Sequence, residues 1–268
     1  MQDILQEILT TSQRELAARS QSVSLSELQA RDAYTAVRPS FAAAIRSGSG
    51  IVAEHKRASP SAGVINDRHD LPSVIRMYEQ AGASCISILT NAPYFQGSQQ
   101  DLINASQLTN LPLLCKDFIH DAYQVHEARA CGASAVLLIA AMLAPGELLQ
   151  LAAMAHEIGL EVLVEIHALE EYTALASHPN YQEDLVSVIG VNNRDLKRME
   201  TSVSLSRKLY EQLPQDKVKI SESGLRDAAT LQDLLKLGYD GFLIGEYFME
   251  QDDPEAACRE LSGLKTRA

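Results

Sequence analysis

The chain is poor in positive charge. Its 268 residues carry 23 Lys and Arg against 35 Asp and Glu, a formal net charge of −12. Nucleic acids and anionic membranes both favour a basic surface, so neither is an expected partner. An anionic small molecule is still accommodated if its cationic contacts are local. Cysteine is scarce too. Cys85, Cys115, Cys131 and Cys258 form no C-x-x-C pair and share no ligand spacing with histidine. That argues against a disulfide framework or a zinc site and suits reduced thiols in the cytoplasm. No H-E-x-x-H and no carboxylate cluster points to a metal. Long hydrophobic runs are missing: the longest, near 135–144, is too short to span a bilayer. The N-terminus, MQDILQEILTTSQRELAARS, lacks the basic-then-apolar order of a secretion signal.

What is present is one unit, repeated. Eight short runs rich in Val, Ile and Leu occur in order: IVAEHKR (51–57), CISILT (85–90), LPLLCKDF (111–118), AVLLIA (135–140), LEVLVEIH (160–167), VSVIGVNNRD (186–195), KVKISESG (217–224) and GFLIGEYF (241–248). Such runs read as strands buried on both faces. Helical patterns lie between them. Asp70 with Pro72 can start one that carries Leu71, Val74, Tyr78 and Ala81. Pro145 opens another with Leu148, Leu151, Ala155 and Ile158, and Asp227 caps a third with Leu231, Leu234 and Leu235. Gly82, Gly132, Gly159 and Gly238 stand where helices should end. Strand–helix alternation with short links implies parallel strands joined by right-handed crossovers.

The expected fold is therefore α/β, a (β/α)8 TIM barrel over 49–250. A helical extension (1–48) precedes it and a helix or tail (251–268) follows, all in one domain. An open doubly wound sheet competes, but no G-x-G-x-x-G follows the first run. The extension reads as two helices, 3–19 and 25–36, with Ile4, Leu5, Ile8 and Leu9 as an apolar stripe. It either packs on the barrel or covers its mouth.

Barrel chemistry sits at the C-terminal ends of the strands. Five runs end in polar groups: Glu54-His55-Lys56-Arg57, Cys115-Lys116-Asp117, Glu165-Ile166-His167, Asn192-Asn193-Arg194-Asp195 and Ser221-Glu222-Ser223-Gly224. One such charge is ordinarily a structural salt bridge; five converging on one rim suggest acid–base work. Period-two alternation puts Glu54 and Lys56 on one side, His55 and Arg57 on the other. A partly desolvated lysine among cations is expected to have a lowered pKa and to donate a proton near neutrality. A Schiff-base role for lysine is equally open at this point. Gly224 and Gly245, on the last two runs, let backbone N–H groups approach a phosphate.

These segments resemble the indole-3-glycerol phosphate synthases. The matching pieces are Glu54-His55-Lys56-Arg57-Ala58-Ser59-Pro60-Ser61, Leu89-Thr90 through Phe95-Gln96-Gly97-Ser98, Cys115-Lys116-Asp117-Phe118-Ile119, Leu163-Val164-Glu165-Ile166-His167, Gly190-Val191-Asn192-Asn193-Arg194-Asp195-Leu196, Ser221-Glu222-Ser223-Gly224 and Phe242-Leu243-Ile244-Gly245. The resemblance implies a lyase of tryptophan biosynthesis. Its substrate would be 1-(2-carboxyphenylamino)-1-deoxy-D-ribulose 5-phosphate, converted without cofactor or metal to indole-3-glycerol phosphate, CO2 and water.

The resemblance also implies roles. Lys116 is the general acid, Glu165 stabilises the cationic intermediate or takes a proton, and Glu54 and Lys56 form a second acid–base pair. Asn192 and Ser223 orient the substrate, Ser59 and Arg194 hold its carboxylate, and Glu222 belongs to the substrate site. Phe95, Phe118 and Leu138 grip the aryl ring. Backbone amides at Gly224, Gly245 and Glu246 bind phosphate, and the Glu246 carboxylate is expected to turn away from it. The division of proton transfers among Glu54, Lys56 and Glu165 stays open. One departure stands out: the family's L-T-D-x-x-F-F reads Leu89-Thr90-Asn91-Ala92-Pro93-Tyr94-Phe95 here. A monomer, or a weak homodimer, is the expected state.

Overall fold

Each of the eight runs becomes a strand of one closed parallel barrel. They are β1 (Ile51–His55), β2 (Cys85–Leu89), β3 (Leu113–Lys116), β4 (Ala135–Ile139), β5 (Glu161–Ile166), β6 (Val188–Asn192), β7 (Val218–Glu222) and β8 (Gly241–Ile244). Neighbours in the chain are neighbours in the sheet, and β8 closes onto β1 with Ile51 opposite Phe242. The computed structural model describes residues 4–59, 63–66, 68–195 and 200–265. Pro60, Ser61 and Leu196 of the quoted motifs, and residue 3 of the first expected helix, lie outside these.

The strands are shorter than the runs. β1 stops at His55, β6 narrows to Val188–Asn192, and the last run divides into β8 and a helix, Glu246–Glu250. Polar residues at the C-terminal ends of the runs, Lys56 and Arg194 among them, leave the barrel ladder and line the rim.

Pleating sorts the strand side chains into two cores. Val52, Leu114, Leu137, Ile139, Leu163, Val188, Ile220 and Leu243 fill the barrel interior. Ala53, Ile86, Cys115, Val136, Leu138, Val164, Ile189 and Phe242 face the surrounding helices. Leu138 is thereby removed from the expected aryl wall, because its neighbours Leu137 and Ile139 have the inward positions. The helices start as read: Asp70 accepts from Ser73 N at 2.9 Å and Asp227 from Thr230 N at 2.8 Å. Gly238 leaves its helix at φ 111°, the left-handed exit expected of it.

The extension departs from expectation. It forms four helices, Ile4–Ser22, Leu25–Gln29, Asp32–Thr35 and Phe41–Ser47. The expected 25–36 helix breaks at Arg31, whose backbone is extended. Docking on the helix Ala122–Ala130 outweighs helical continuity here. Tyr34 Oη lies 2.6 Å from His126 Nδ1, and Arg129 donates to the carbonyls of Tyr34 and Ala36 at 2.8 and 2.7 Å. The fourth helix, capped by Ser40, drives Phe41 and Ile45 into the barrel-interior core. The first helix is tied down by Arg19, 3.1 Å from Glu127.

His55 illustrates the cost of the outward face. It is 3% exposed and its Nε2 has no partner. Burial, aided by the Arg57 guanidinium, pushes the imidazole down to about 4. The unfolded chain binds this proton near pH 6.5, so below that point acid favours unfolding until the folded ring also protonates. Between neutrality and pH ~5 this one group should remove about 2 kcal/mol. His55→Asn should therefore show a smaller drop in urea-unfolding free energy over that interval than the parent. An equal drop would refute this assignment.

Candidate active site

Glu54 and Lys56 from β1 and its exit, Lys116 at the tip of β3, Glu165 near the tip of β5, Asn192 at the tip of β6 and Glu222 at the tip of β7 line one cavity inside the barrel mouth. Their convergence follows from strand geometry: each occupies an inward position where its strand reaches the rim. Ser59, Phe95, Phe118, Arg194 and Ser223 also line it. Leu137, Ile139 and Leu243 form apolar wall, and Leu5 and Ile8 of the first helix close it from above. The extension thus covers the mouth as well as packing on the barrel.

The centre is an ammonium among carboxylates. Lys116 Nζ lies 3.3 Å from Glu165 Oε2 and 3.8 Å from Glu222 Oε2. Lys56 Nζ lies 3.8 Å from Glu54 Oε1 and 5.7 Å from the centre of the Phe95 ring. Ser87 Oγ donates to Glu54 Oε2 at 3.2 Å.

Burial and charge set the proton affinities. Burial lowers Lys56, with Arg194 and Lys116 adding to the effect against the pull of Glu54 and Glu246. That matches the expectation of a depressed lysine. Lys116 goes the other way. Burial opposes its charge, but Glu165, Glu222 and Glu54 together outweigh it and hold the ammonium well above its ordinary range. Burial would raise Glu165; Lys116, His167 and a hydrogen bond from Asn192 reverse this and bring it down to about 2. Glu222 is raised well above an ordinary carboxylate, by burial and by the Glu165 charge. Two adjacent glutamates are therefore driven in opposite directions, Glu165 toward the carboxylate and Glu222 toward the protonated acid.

Two glycines make room for this arrangement. A Cβ on Gly190, on β6, would stand 2.0 Å from Glu222 Oε1, and one on Gly245 would stand 2.8 Å from Glu54 Cβ.

Beside this centre lies a second cavity, lined by Lys56, Arg194, Thr201, Ser223, Gly224, Arg226, Gly245 and Glu246. Ser223 and Gly224 are both left-handed, at φ 66° and 72°. Successive residues in that region turn backbone polar groups toward a concave cradle suited to an anion. Asn193 braces the turn: its Nδ2 donates to Ser221 Oγ at 2.9 Å and to the carbonyls of Glu222 and Ser223 at 3.0 and 3.1 Å. The Glu246 carboxylate does not simply turn away. It bridges Arg194 at 3.3 Å and Arg226 at 2.8 Å, and stays near enough to Lys56 to act on it.

Sequence reading missed Asn193 as a brace, Arg226 as a partner, and Leu137 and Ile139 as wall. Strict period-two counting along β4 would have found the last two. The altered loop is tied in by contacts of its own. Asn91 caps its helix through Tyr94 N and donates to Asp117 at 3.3 Å. Tyr94 reaches Thr11 Oγ1 of the first helix at 3.3 Å, and Arg57 grips Asp101 at 2.7 and 2.9 Å.

The Gly190 contact generates a test. Gly190→Ala should displace the Glu222 carboxylate, lower kcat by about tenfold or more and leave cooperative unfolding intact. Unchanged kcat in a folded variant would show that the Glu222 position is immaterial.

A family model described as indole-3-glycerol phosphate synthase matches residues 5–261. The chain is 43% identical to the indole-3-glycerol phosphate synthase of Bacteroides thetaiotaomicron, over 95% of both chains. It is 42% identical to that of Neisseria gonorrhoeae, over 97% of this chain and 100% of that one. Among solved structures, 3-hexulose-6-phosphate synthase from Salmonella typhimurium superposes with a TM-score of 0.63 at 13% identity, covering 81% of this chain and 98% of that one. Thiamine phosphate pyrophosphorylase from Pyrococcus furiosus superposes at 0.58 with 18% identity, over 81% and 95%. These two share the fold alone. With a family match that runs from the extension through the last strand, the chain belongs to the indole-3-glycerol phosphate synthase family.

Proposed function

We propose that the barrel mouth converts 1-(2-carboxyphenylamino)-1-deoxy-D-ribulose 5-phosphate to indole-3-glycerol phosphate, CO2 and water. The observation that carries this reading is the Lys116 ammonium, held charged by Glu165 and Glu222 at 3.3 and 3.8 Å, beside a glycine-built anion cradle. Ring closure needs a proton delivered to the ketone oxygen as the aryl carbon attacks. Lys116 reaches the substrate with its proton in place and gives it up only when a stronger acceptor, the developing alkoxide, arrives.

That transfer changes its neighbour. While Lys116 is charged, Glu165 is a weak base that stabilises the cationic ring intermediate. Once Lys116 is neutral, the main force depressing Glu165 is gone, and the carboxylate becomes able to take the proton lost when the indole forms. Lys56, lowered by burial, is the better placed ammonium to protonate the departing hydroxyl, with Glu54 at 3.8 Å as its counter-charge. No oxidation state changes overall, so proton donors and acceptors suffice.

In this reading Phe95 and Phe118, stacked with centroids 6.0 Å apart, grip the aryl ring together with Leu137 and Ile139. Ser59 and Arg194 hold the carboxylate, Asn192 and Ser223 orient the hydroxyls, and backbone groups at Gly224, Gly245 and Glu246 bind the phosphate. A Schiff base at Lys116 fits less well, because the attacking amine must be neutral and the surrounding carboxylates keep its proton on. The substrate is thus a small phosphorylated molecule, with neither nucleic acid nor membrane as partner. Among the described residues no helix is long and apolar enough to cross a membrane. A cytoplasmic monomer is the proposed state; the exposed large hydrophobics Leu25, Val37, Val64 and Leu108 sit on separate parts of the chain.

The chain contains no tryptophan, so indole fluorescence reports product against a low background. Lys116→Ala should lower kcat by about 10²–10⁴-fold while inorganic phosphate binds as before. Turnover within a few-fold of the parent would reject Lys116 as the acid. Absence of indole from the parent would reject the reaction.

A further inference from the structure

Asn193 directly follows β6 and is 3% exposed. Its amide has one possible orientation. The Ser206 backbone N–H can only donate, and Asn193 Oδ1 accepts it at 3.2 Å together with the Ser206 hydroxyl at 2.9 Å. Nδ2 therefore faces the carbonyls of Glu222 and Ser223 and the hydroxyl of Ser221. With the Ser206 proton committed to Oδ1, Ser221 Oγ is the donor in its 2.8 Å bond to Ser206 Oγ. Ser206 and Ser221 are fully buried. A buried set in which each side-chain polar atom has a partner is rigid.

This rigid set holds a strained residue. Among the described residues other than glycine, only Gln96 and Ser223 have positive φ. Gln96 is a helix cap. Ser223, at 66°, follows the tip of β7 and walls the anion cradle. A residue with a Cβ persists in this region only when its surroundings impose it. Asn193 Nδ2 on the Ser223 carbonyl is one such restraint. The neighbouring Gly224 supplies another by packing on Thr201, whose Cγ2 would stand 2.5 Å from a Cβ at that position. Asn193 helps to place Thr201 as well, because its carbonyl accepts the Ser202 N–H at 3.0 Å. One residue thus fixes both the turn and the wall against which the turn rests.

We propose that Asn193 is a positioning residue that sets the affinity of the cradle for the substrate phosphate by holding Ser223 in its left-handed conformation. The inference rests on the proposed function in taking the cradle as the phosphate site. Asn193 does not itself line the cradle, so it acts through the turn. Its effect is separable from the chemistry. The Asn193 backbone N–H donates to the Glu222 carbonyl at 2.9 Å whatever the side chain, and this keeps the Glu222 carboxylate beside Lys116.

The test uses the whole chain, inorganic phosphate and the carboxyphenylamino-deoxyribulose phosphate. Asn193→Asp keeps the side-chain shape and an oxygen toward Ser206, but it sets a second oxygen against two carbonyls. It should raise the Kd for inorganic phosphate and the KM about tenfold each, with kcat lowered less than about threefold. Ser223→Gly removes the strain, since glycine adopts this conformation freely. In that background Asn193→Asp should raise the phosphate Kd less than about threefold. Ser206→Ala removes one of the two bonds that orient the amide and keeps the proposal testable if the Asp variant does not fold. It should raise the phosphate Kd about threefold in the parent and leave it level in Ser223→Gly. Two results overturn the proposal: unchanged phosphate affinity in the folded variant, or an equal rise with Ser223 and with glycine. A parent that binds no phosphate would instead count against the cradle as the phosphate site.

Discussion

One ammonium group organises this barrel mouth. Lys116 sits at the tip of β3 among Glu54, Glu165 and Glu222, and each of those carboxylates is buried at the end of a different strand. Three buried carboxylates without a cation would repel one another at severe cost, and a buried lysine without them would lose its proton. Together they keep Lys116 charged, drive Glu165 toward its ionised form and raise the proton affinity of Glu222. The surrounding fold serves this balance. Gly190 leaves the space that the Glu222 carboxylate fills, Gly245 does so for Glu54, and the first helix lays Leu5 and Ile8 over the cavity to exclude water. In a drier site every one of these charges acts more strongly on its neighbours.

The two lysines differ because their surroundings differ, although both stand on the rim within one pocket. Lys56 has a single close carboxylate and feels Arg194 and Lys116, so burial prevails and its proton loosens. Lys116 has carboxylates on several sides and keeps its proton. A site with one tight and one loose ammonium can deliver two protons at different stages. The reaction needs this, since ring closure and loss of water call for donors in turn. The Glu246 carboxylate fits the same logic. Placed beside an anion cradle it would be a liability, and Arg194 and Arg226 neutralise it.

Much of this was legible in the chain. The eight apolar runs marked the strands, because strands covered on both faces must be apolar throughout, and Glu54, Lys56, Lys116, Glu165, Asn192 and Glu222 stood out as polar breaks at their ends. Other features were not readable locally. Leu138 looks like its neighbours in composition, and only the phase of the pleat sends it outward while Leu137 and Ile139 face in. The proton affinity of Lys116 depends on side chains about 50 and 100 residues away, and no spacing rule reports them. The break at Arg31 is a tertiary effect, decided by docking of Tyr34 on His126 and Arg129 and not by helix propensity. The plug formed by Phe41 and Ile45 was hidden because it lies beyond the two helices, 3–19 and 25–36, that the extension's pattern suggests.

The account stands on the split between Glu165 and Glu222 that Lys116 imposes. Carboxyl ¹³C NMR of the glutamate-labelled protein, with Glu165→Gln and Glu222→Gln to assign the signals, measures it directly. Glu165 should titrate far below an ordinary carboxylate and Glu222 far above it. Two signals that both titrate near 4.5, the value of an unperturbed glutamate, would contradict the central arrangement.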